Sequence, residues 1–198
     1  MLIVALCGKM GSGKDHVAHT VVLPLLRRLG LTCVHLCFAD QIKVNAMVKH
    51  GLRPDDVLDA KTRETRALLQ REGTELGRDV LGQDVWVRYF DAWLAVHRSR
   101  GVDAVVTTDV RFRNEAEYVR HHKDDGILIR IDAPERNARR LRAEGAPEWV
   151  RLHRSECDLD HYDDVDFVVR NDECVDESDP HHTSRLRWWL RQRLAGLA

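Results

Sequence analysis

Residues 8–15 read Gly-Lys-Met-Gly-Ser-Gly-Lys-Asp, and this stretch decides the fold of the chain. Seven of its eight positions match the phosphate-binding pattern G-x-x-x-x-G-K-[ST], in which backbone N–H groups of the loop surround a phosphate. Such a loop joins a strand to a helix. The apolar run Leu2–Cys7 in front of it is typical of a strand buried on both faces, and a helix is predicted to follow as far as about Arg28. The sequence therefore predicts a phosphate-binding loop between the first strand and the first helix.

The last position of the stretch departs from the pattern, because Asp15 stands where a serine or threonine hydroxyl would normally contact Mg²⁺. A carboxylate beside phosphates is repulsive, but the first turn of a helix favours acidic side chains, and a carboxylate oxygen is a good Mg²⁺ ligand. We therefore predict that Asp15 holds the metal, directly or through water. The alternative is that Asp15 only supports the first helical turn.

Strand-like and helical patterns alternate along the rest of the chain. Four further strands are predicted at Thr32–Phe38, Asp103–Asp109, Gly126–Ile131 and Asp166–Arg170. Helical patterns lie at about 41–50, 62–81, 84–99, 114–122, 134–143 and 183–195. Since strands that alternate with helices favour parallel pairing, the sequence predicts an α/β fold, a three-layer sandwich around a five-stranded parallel sheet.

Composition limits the functions that the chain can have. Its 198 residues are the length of one domain, and 43% hydrophobic residues are enough for a core. A net charge of −1 provides no general attraction for a nucleic acid polymer or a membrane, and no apolar run approaches the length of a membrane helix. The odd count of 5 cysteines argues against a disulfide framework and favours a reducing cytoplasm, the host's if the protein is viral.

Polar residues recur every four positions in RETRALLQREGTELGR, residues 63–78, and share one face of a predicted helix. They are Arg66, Gln70, Thr74 and Arg78. Such a face is usually solvated, but Gly73 favours a ligand, because a glycine inside a helix costs about 1 kcal/mol relative to alanine. The face offers donors for a phosphate and for a base or sugar.

The next segment, GQDVWVRYFDAWL at 82–94, places aromatic residues at helical spacing behind a predicted N-cap, Asp84. Most of this pattern indicates core packing. Trp86 lies in the first turn, and two interpretations stay open for it. It is either a core residue or a ring that stacks on an acceptor base.

The third predicted strand ends at Asp109, and Arg111 and Glu115 follow it closely. Ligands of open parallel sheets bind at the carboxyl ends of the strands, where an acid can hold Mg²⁺ or its water. Arg111 and Glu115 are close enough in sequence to reach the same crevice. The alternative is a charged loop without a ligand.

The chain resembles the phage-type deoxynucleoside monophosphate kinases in GKMGSGKD (8–15), FADQIK (38–43), Arg66 with Gly73 and Thr74, DVW (84–86) and DVRFRNEAE (109–117). The match is good over about residues 1–120 and loose beyond. The resemblance implies the nucleoside monophosphate kinase fold of the P-loop superfamily. It implies Mg²⁺-dependent transfer of the ATP γ-phosphate to a deoxynucleoside 5′-monophosphate, dNMP.

The resemblance also implies site residues. The implied ATP contacts are Gly11, Ser12, Gly13, Lys14, Asp15 and His16, the last standing where a threonine is common. The implied dNMP contacts are Ile42, Lys43, Arg66, Gly73, Thr74, Trp86, Asp109, Arg111 and Glu115, to which the polar helix face adds Gln70. In the implied mechanism Lys14 holds ATP, Asp15 and Asp109 hold Mg²⁺, and Lys43 and Arg66 hold the acceptor phosphate.

We therefore expect a single kinase domain over residues 1–198, with a small helical acceptor-binding region at about 41–99 and a lid at about 134–164. Region 144–164 is rich in charge and histidine, among them His153 and Glu156. Arg139 and Arg140, on the helix that enters the lid, are the predicted catalytic arginines over the γ-phosphate.

Two alternatives remain beside this prediction. A phosphomevalonate-type kinase shares the aspartate at position 15, and a P-loop ATPase without kinase activity would share the loop alone. A GTPase is disfavoured because no N-K-x-D guanine motif follows a strand. The accepted base, the strictness for deoxyribose and the oligomeric state, including a homodimer, are left open by the sequence.

Overall fold

The computed structural model describes residues 1–58, 62–121, 126–144, 153–172 and 180–195, and within them five strands form one parallel sheet. The strands are β1 (Leu2–Cys7), β2 (Cys33–His35), β3 (Ala104–Val110), β4 (Gly126–Asp132) and β5 (Phe167–Arg170). Their order is β2-β3-β1-β4-β5. The predicted three-layer α/β fold with a five-stranded parallel sheet is confirmed.

The central position of β1 explains its sequence. Ile3 pairs with Val105 of β3 on one side and with Gly126 of β4 on the other, and all six residues of β1 are buried. A strand that is covered on both faces needs apolar side chains at every position, which is why Leu2–Cys7 is a continuous run and does not alternate.

The helices occupy the segments between strands and the segment after β5. They are α1 (Lys14–Val17), α2 (Leu23–Arg28), α3 (Asp40–His50), α4 (Pro54–Leu58), α5 (Arg63–Gly73), α6 (Asp79–Leu81), α7 (Val85–Ser99), α8 (Arg113–Arg120), α9 (Pro134–Glu144), α10 (Arg154–Cys157) and α11 (Pro180–Leu194). A π-helical turn, Ala18–Val22, joins α1 to α2, and a second, Thr74–Arg78, joins α5 to α6. The short helices α4 and α10 are not predicted from the sequence, because neither is long enough to show a period.

The prediction that the second strand extends to Phe38 is wrong. The strand ends at His35, although Leu36, Cys37 and Phe38 are all buried. The N–H group of Cys37 donates to Oδ2 of Asp40 at 2.8 Å and so belongs to the turn that starts α3. Burial of this run therefore comes from side-chain packing, including the Phe38 ring stacked on Phe90 at 4.1 Å between centroids.

Residue contacts divide the chain into two compact units. The first, Met1–His35 with Gly101–Ala198, contains the sheet, and its core joins alternate residues of β1, β3 and β4 to apolar residues of α2 and α11. In α11 the side chains of Leu186, Leu190 and Leu194 are buried in that core. No helix in the described part of the chain is long and apolar enough to cross a membrane.

The second unit, Leu36–Arg100, contains α3 to α7 and no strand among its described residues. Glu72 is only 4% exposed and is paired with Lys49, whose Nζ lies 2.7 Å from Oε2, and with His50, whose Nε2 lies 3.0 Å from Oε1. These bonds hold the pKa of Glu72 below its ordinary value. They tie α3 to α5 within this unit.

The first residue of β4 offers a test of how tightly the sheet packs. A Cβ on Gly126 would lie 1.8 Å from the carbonyl oxygen of Val119, a backbone atom that cannot rotate aside. We expect Gly126→Ala to lower the free energy of unfolding in urea by about 3 kcal/mol. As the control, Gly101→Ala has no described atom within 4 Å and pays only for its positive φ of 76°, about 1 kcal/mol. Equal losses in the two variants would contradict the packing argument.

Candidate functional site

The loop at residues 8–15 fits closely against the carboxyl ends of β4 and β5. A Cβ on Gly8 would lie 2.2 Å from the carbonyl oxygen of Ile131, at the end of β4. Gly13, with a φ of 91°, has an equally close neighbour, since its Cβ would lie 2.4 Å from Nδ2 of Asn171. That Nδ2 donates to the carbonyl oxygen of Ser12 at 2.7 Å. Both glycines are therefore required by close approach as well as by backbone conformation.

Lys14 lies folded over this loop and is 7% exposed. Its Nζ donates to the carbonyl oxygens of Gly8 at 2.7 Å and Lys9 at 2.8 Å. Burial, and secondly the positive charge of Arg111, lower the pKa of Lys14 to about 8, while Glu156, Asp15 and Cys7 act in the opposite direction. The structure thus places a partly destabilised cation inside the phosphate-binding loop, where a phosphate would stabilise it.

Two buried polar atoms at the loop lack a hydrogen-bond partner among the described residues, namely Oγ of Ser12 and Oδ1 of Asn171. Both side chains are only 1% exposed. Because buried polar groups are almost always paired, such atoms indicate a ligand or water. The Ser12 hydroxyl suits an anion, whereas the Asn171 oxygen needs a donor such as an amino or hydroxyl group. The loop therefore fits a nucleotide phosphate.

Asp15 is exposed at the start of α1 and is tethered to β3. Its Oδ1 accepts a hydrogen bond of 2.5 Å from Oγ1 of Thr108, and the same Oγ1 lies 3.1 Å from Nε2 of His35. A hydroxyl has one proton, and the carboxylate can only accept it, so the imidazole must donate to Oγ1. His35 therefore carries a proton on Nε2. This chain of bonds fixes the carboxylate beside the carboxyl end of β3.

The second predicted metal ligand, Asp109, follows Thr108 and accepts a hydrogen bond of 3.0 Å from Oγ1 of Thr107. No group of three or more histidine, cysteine, aspartate or glutamate side chains is arranged as a metal site in the described residues. Asp15 and Asp109 nevertheless have the chemistry that Mg²⁺ requires, because this ion usually binds one or two carboxylates and completes its shell with phosphate oxygens and water.

Arg111 and Glu115 have different roles in the structure. The buried carboxylate of Glu115 accepts hydrogen bonds at Oε2 from the N–H groups of Arg111 at 2.7 Å and Phe112 at 3.0 Å. It thereby caps α8, a role that accounts for its burial without a ligand. Arg111 instead forms an ion pair through Nη1 with Oε1 of Glu156 and is 34% exposed.

His16, the remaining predicted ATP contact, is exposed in α1.

The predicted lid arginines lie on α9. Nη2 of Arg139 donates to the carbonyl oxygen of Asp172 at 2.9 Å, which ties the exposed guanidinium to the segment after β5. The side chain of Arg140, and residues 145–152 of the predicted lid, lie outside the described part of the chain. Arg136, which sequence reasoning did not select, reaches the loop, since its Nη1 would lie 3.3 Å from a Cβ on Gly13. Arg136 stands in the first turn of the helix that follows β4, and this position in the sequence could have identified it as a residue near the loop.

The predicted acceptor residues other than Asp109, Arg111 and Glu115 lie in the second unit. Nζ of Lys43 forms an ion pair of 2.7 Å with Oδ1 of Asp40. Gly73 has a packing explanation, because its Cβ would lie 3.0 Å from Cδ1 of Ile42. A ligand could still bind near Gly73, but the contact with Ile42 already explains why a glycine stands at this position.

The polar helix face does not continue as far as predicted. Arg66 is exposed, and Gln70 and Thr74 are half-buried, but Arg78 is buried and donates from Nη1 to the carbonyl oxygen of Gln83 at 2.6 Å. The π-helical turn Thr74–Arg78 explains the difference, because its wider rings rotate later residues away from the regular four-residue spacing. Arg78 therefore has a structural role.

Trp86 occupies a core position. Its side chain is 3% exposed, and its Nε1 donates to the carbonyl oxygen of Gly73 at 2.7 Å. A Cβ on Gly77 would lie 2.4 Å from Cζ2 of the indole, so the glycine makes room for the ring. Of the two interpretations of Trp86, core packing accounts for this position. Stacking on a base would require the ring to leave it.

No family model matches the chain. The chain is 28% identical over 196 residues to a putative deoxynucleotide monophosphate kinase of Acanthamoeba polyphaga mimivirus, covering 89% of this chain and 92% of that protein. It is 38% identical over 69 residues to the deoxynucleoside-5′-monophosphate kinase of Escherichia phage T5, covering 33% of this chain and 26% of that protein.

A solved structure, TT1252 from Thermus thermophilus, has the same fold. It is superimposed with a TM-score of 0.53 at 21% identity, covering 100% of this chain and 98% of that one. The resemblance to deoxynucleoside monophosphate kinases that the sequence predicts is confirmed by these two viral relatives.

The packing of Trp86 can be tested by a matched pair of variants. We expect Trp86→Phe to lower the free energy of unfolding by about 2 kcal/mol, because it removes a buried hydrogen bond and leaves a void. Trp93→Phe makes the same change at a ring that is 36% exposed and should cost less than about 0.5 kcal/mol. If Trp86→Phe were as stable as the wild type and bound a dNMP more weakly, the stacking interpretation would be correct.

The lowered pKa of Lys14 predicts the pH dependence of ATP binding. Lys14 is charged below pH 8 and loses its charge as the pH rises through its pKa of about 8, so ATP affinity should fall about tenfold per pH unit above that value. Burial raises the pKa of the neighbouring Cys7, so this thiol does not titrate first. The measurement is ATP affinity between pH 7 and 9.5. Lys14→Met should bind weakly and without this dependence, and a flat profile in the wild type would show that Lys14 stays charged.

Proposed function

We propose that this chain, a relative of the deoxynucleotide monophosphate kinases, transfers the γ-phosphate of ATP to a deoxynucleoside 5′-monophosphate. The observation that carries the proposal is the buried Lys14 inside a glycine loop with an exposed carboxylate, Asp15, directly after it. Phosphoryl transfer requires mainly that charges be neutralised and reactants aligned, and these groups supply both.

ATP is proposed to bind at the loop through backbone N–H groups of Gly11 and Gly13, the hydroxyl of Ser12 and Nζ of Lys14. The start of α1 adds the partial positive charge of a helix N-terminus. His16 is proposed to contact the α-phosphate from its exposed position in the first turn.

Asp15 and Asp109 are proposed to hold Mg²⁺ and its waters. The metal, when bound, neutralises charge that develops on the transferring group. Thr108 keeps one oxygen of Asp15 in a hydrogen bond, and Thr107 does the same for Asp109. These bonds fix the direction of both carboxylates, so they lose less side-chain entropy when a metal binds.

The acceptor phosphate is proposed to bind to Arg66, Lys43 and Arg111, with Gln70 and Thr74 beside it. The planar guanidinium group of Arg66 can donate two parallel hydrogen bonds to one phosphate. Lys43 is already oriented by Asp40, so its ammonium group needs little ordering on binding. Arg136 and Arg139 are proposed to approach the γ-phosphate from α9 and to exclude water from it.

The proposed function is tested by ADP release from ATP and Mg²⁺ in the presence of single acceptors. The acceptors are the four common dNMPs, the four NMPs, phosphomevalonate and none. We expect turnover with at least one dNMP and a loss of about 100-fold to 1,000-fold in Lys14→Met, which removes a cation from the transferring group.

Three other outcomes would change the assignment. Turnover with phosphomevalonate alone would establish that kinase class instead. ADP release that does not depend on any acceptor would identify an ATPase. Turnover with NMPs and dNMPs at equal efficiency would keep the kinase and remove the preference for deoxyribose.

A further inference from the structure

Glu156 is bound to the phosphate-binding loop although it lies 146 residues away from it in sequence. Its Oε2 accepts a hydrogen bond of 2.8 Å from the N–H group of Met10, and its Oε1 pairs with Nη1 of Arg111. Nζ of Lys9 donates to its backbone carbonyl oxygen. The side chain of Glu156 is 9% exposed, and it connects Met10 in the loop directly to Arg111.

The short helix α10 holds Glu156 in this position. His153 caps α10 by accepting a hydrogen bond of 3.2 Å at Nδ1 from the N–H group of Ser155. Asp158 accepts a bond of 2.7 Å from the N–H group of Arg113, and Asp160 pairs with Lys9. The segment is therefore attached to the loop and to the start of α8 by side chains other than Glu156. The charge of Glu156 is not needed for this attachment.

The charge of Glu156 matters because it acts on two cations, on Arg111 through an ion pair and on Lys14 by raising its pKa. The positive charge of Arg111 has the opposite effect and lowers the pKa of Lys14. A carboxylate that attracts both groups offsets this repulsion. A guanidinium has five donors in one plane, so Arg111 can bind a phosphate while its Nη1 stays on Glu156.

We propose that Glu156 is a positioning residue for phosphoryl transfer, one that fixes Arg111 against the Met10 turn of the loop so that the arginine meets the acceptor phosphate in a single orientation. This inference rests on the proposed function. It assigns to Glu156 no contact with substrate and no proton transfer. Its effect is exerted through Arg111, and that dependence separates it from a general contribution to stability.

A double-mutant cycle tests this dependence. Glu156→Gln keeps the size of the side chain and an oxygen that can accept from Met10 but removes the charge that orients Arg111. We expect kcat/KM for the dNMP to fall about 10-fold to 100-fold, as is typical when an outer partner of a binding group is lost. The melting temperature should stay near the wild type, and so should ATP affinity when it is measured below pH 7, where Lys14 stays protonated.

In the Arg111→Ala background, the same Glu156→Gln change should alter kcat/KM by less than about twofold, because the residue it acts through is absent. The matched control is Glu117→Gln, which removes the same charge from an exposed position on α8 and should leave kcat/KM and the melting temperature unchanged in both backgrounds.

The outcomes distinguish the inference from the function on which it rests. A wild type that turns over no dNMP would refute the proposed function. With an active wild type, equal losses from Glu156→Gln in both backgrounds, or a variant that fails to fold, would assign Glu156 to the stability of the fold and overturn the inference. A loss confined to the background that contains Arg111 supports it.

Discussion

The close approach of the loop at residues 8–15 to the ends of β4 and β5 is the constraint on which the rest of the structure depends. Gly8 and Gly13 have no space for a Cβ, because backbone and side-chain atoms of Ile131 and Asn171 lie there. Both neighbours stand at carboxyl ends of strands, so the loop needs β4 and β5 in their observed order beside β1. The sheet thus serves to bring three chain segments to one edge, where parallel sheets bind their ligands.

Once the loop is fixed, its charges set the remaining requirements. Lys14 is buried, and its burial and the charge of Arg111 lower its pKa. An arrangement of this kind is unfavourable without an anion, and the chain offsets part of the cost with Glu156 and Asp15. The two acidic residues, Asp15 and Glu156, are far apart in the sequence, so the segment around α10 is as much a part of the loop's electrostatics as the motif itself.

The sequence was sufficient to predict an element where a local pattern is typical of only one kind of structure. Continuous apolar runs predicted the buried strands, and the loop motif predicted its own flanking strand and helix. Gly73 shows the limit, since a glycine inside a helix indicates close approach but not its partner, which here is Ile42. The π-helical turn at Thr74–Arg78 has no sequence signal that the periodicity could detect. It changed which face carries Arg78.

Contacts between residues that are far apart in the sequence could not be predicted from it, for a different reason. Glu115 and Glu156 are both glutamates close to charged residues, and nothing local distinguishes the helix cap from the partner of Arg111. Only the fold places Met10 2.8 Å from one of them. Predicting that contact would require the positions of α8 and α10 on the sheet, which depend on the whole core.

The aspartate at position 15 can now be understood from its surroundings. A serine or threonine there would bring a hydroxyl with its own proton, whereas a carboxylate needs a donor, and Thr108 supplies one at 2.5 Å. Because His35 must then donate to Thr108, the carboxylate stands at the end of a chain of two oriented hydrogen bonds. Its charge also raises the pKa of the adjacent Lys14, opposing burial and Arg111. The aspartate therefore places a fixed carboxylate oxygen beside the loop and helps keep the loop lysine protonated, which explains how the loop accommodates a negative charge.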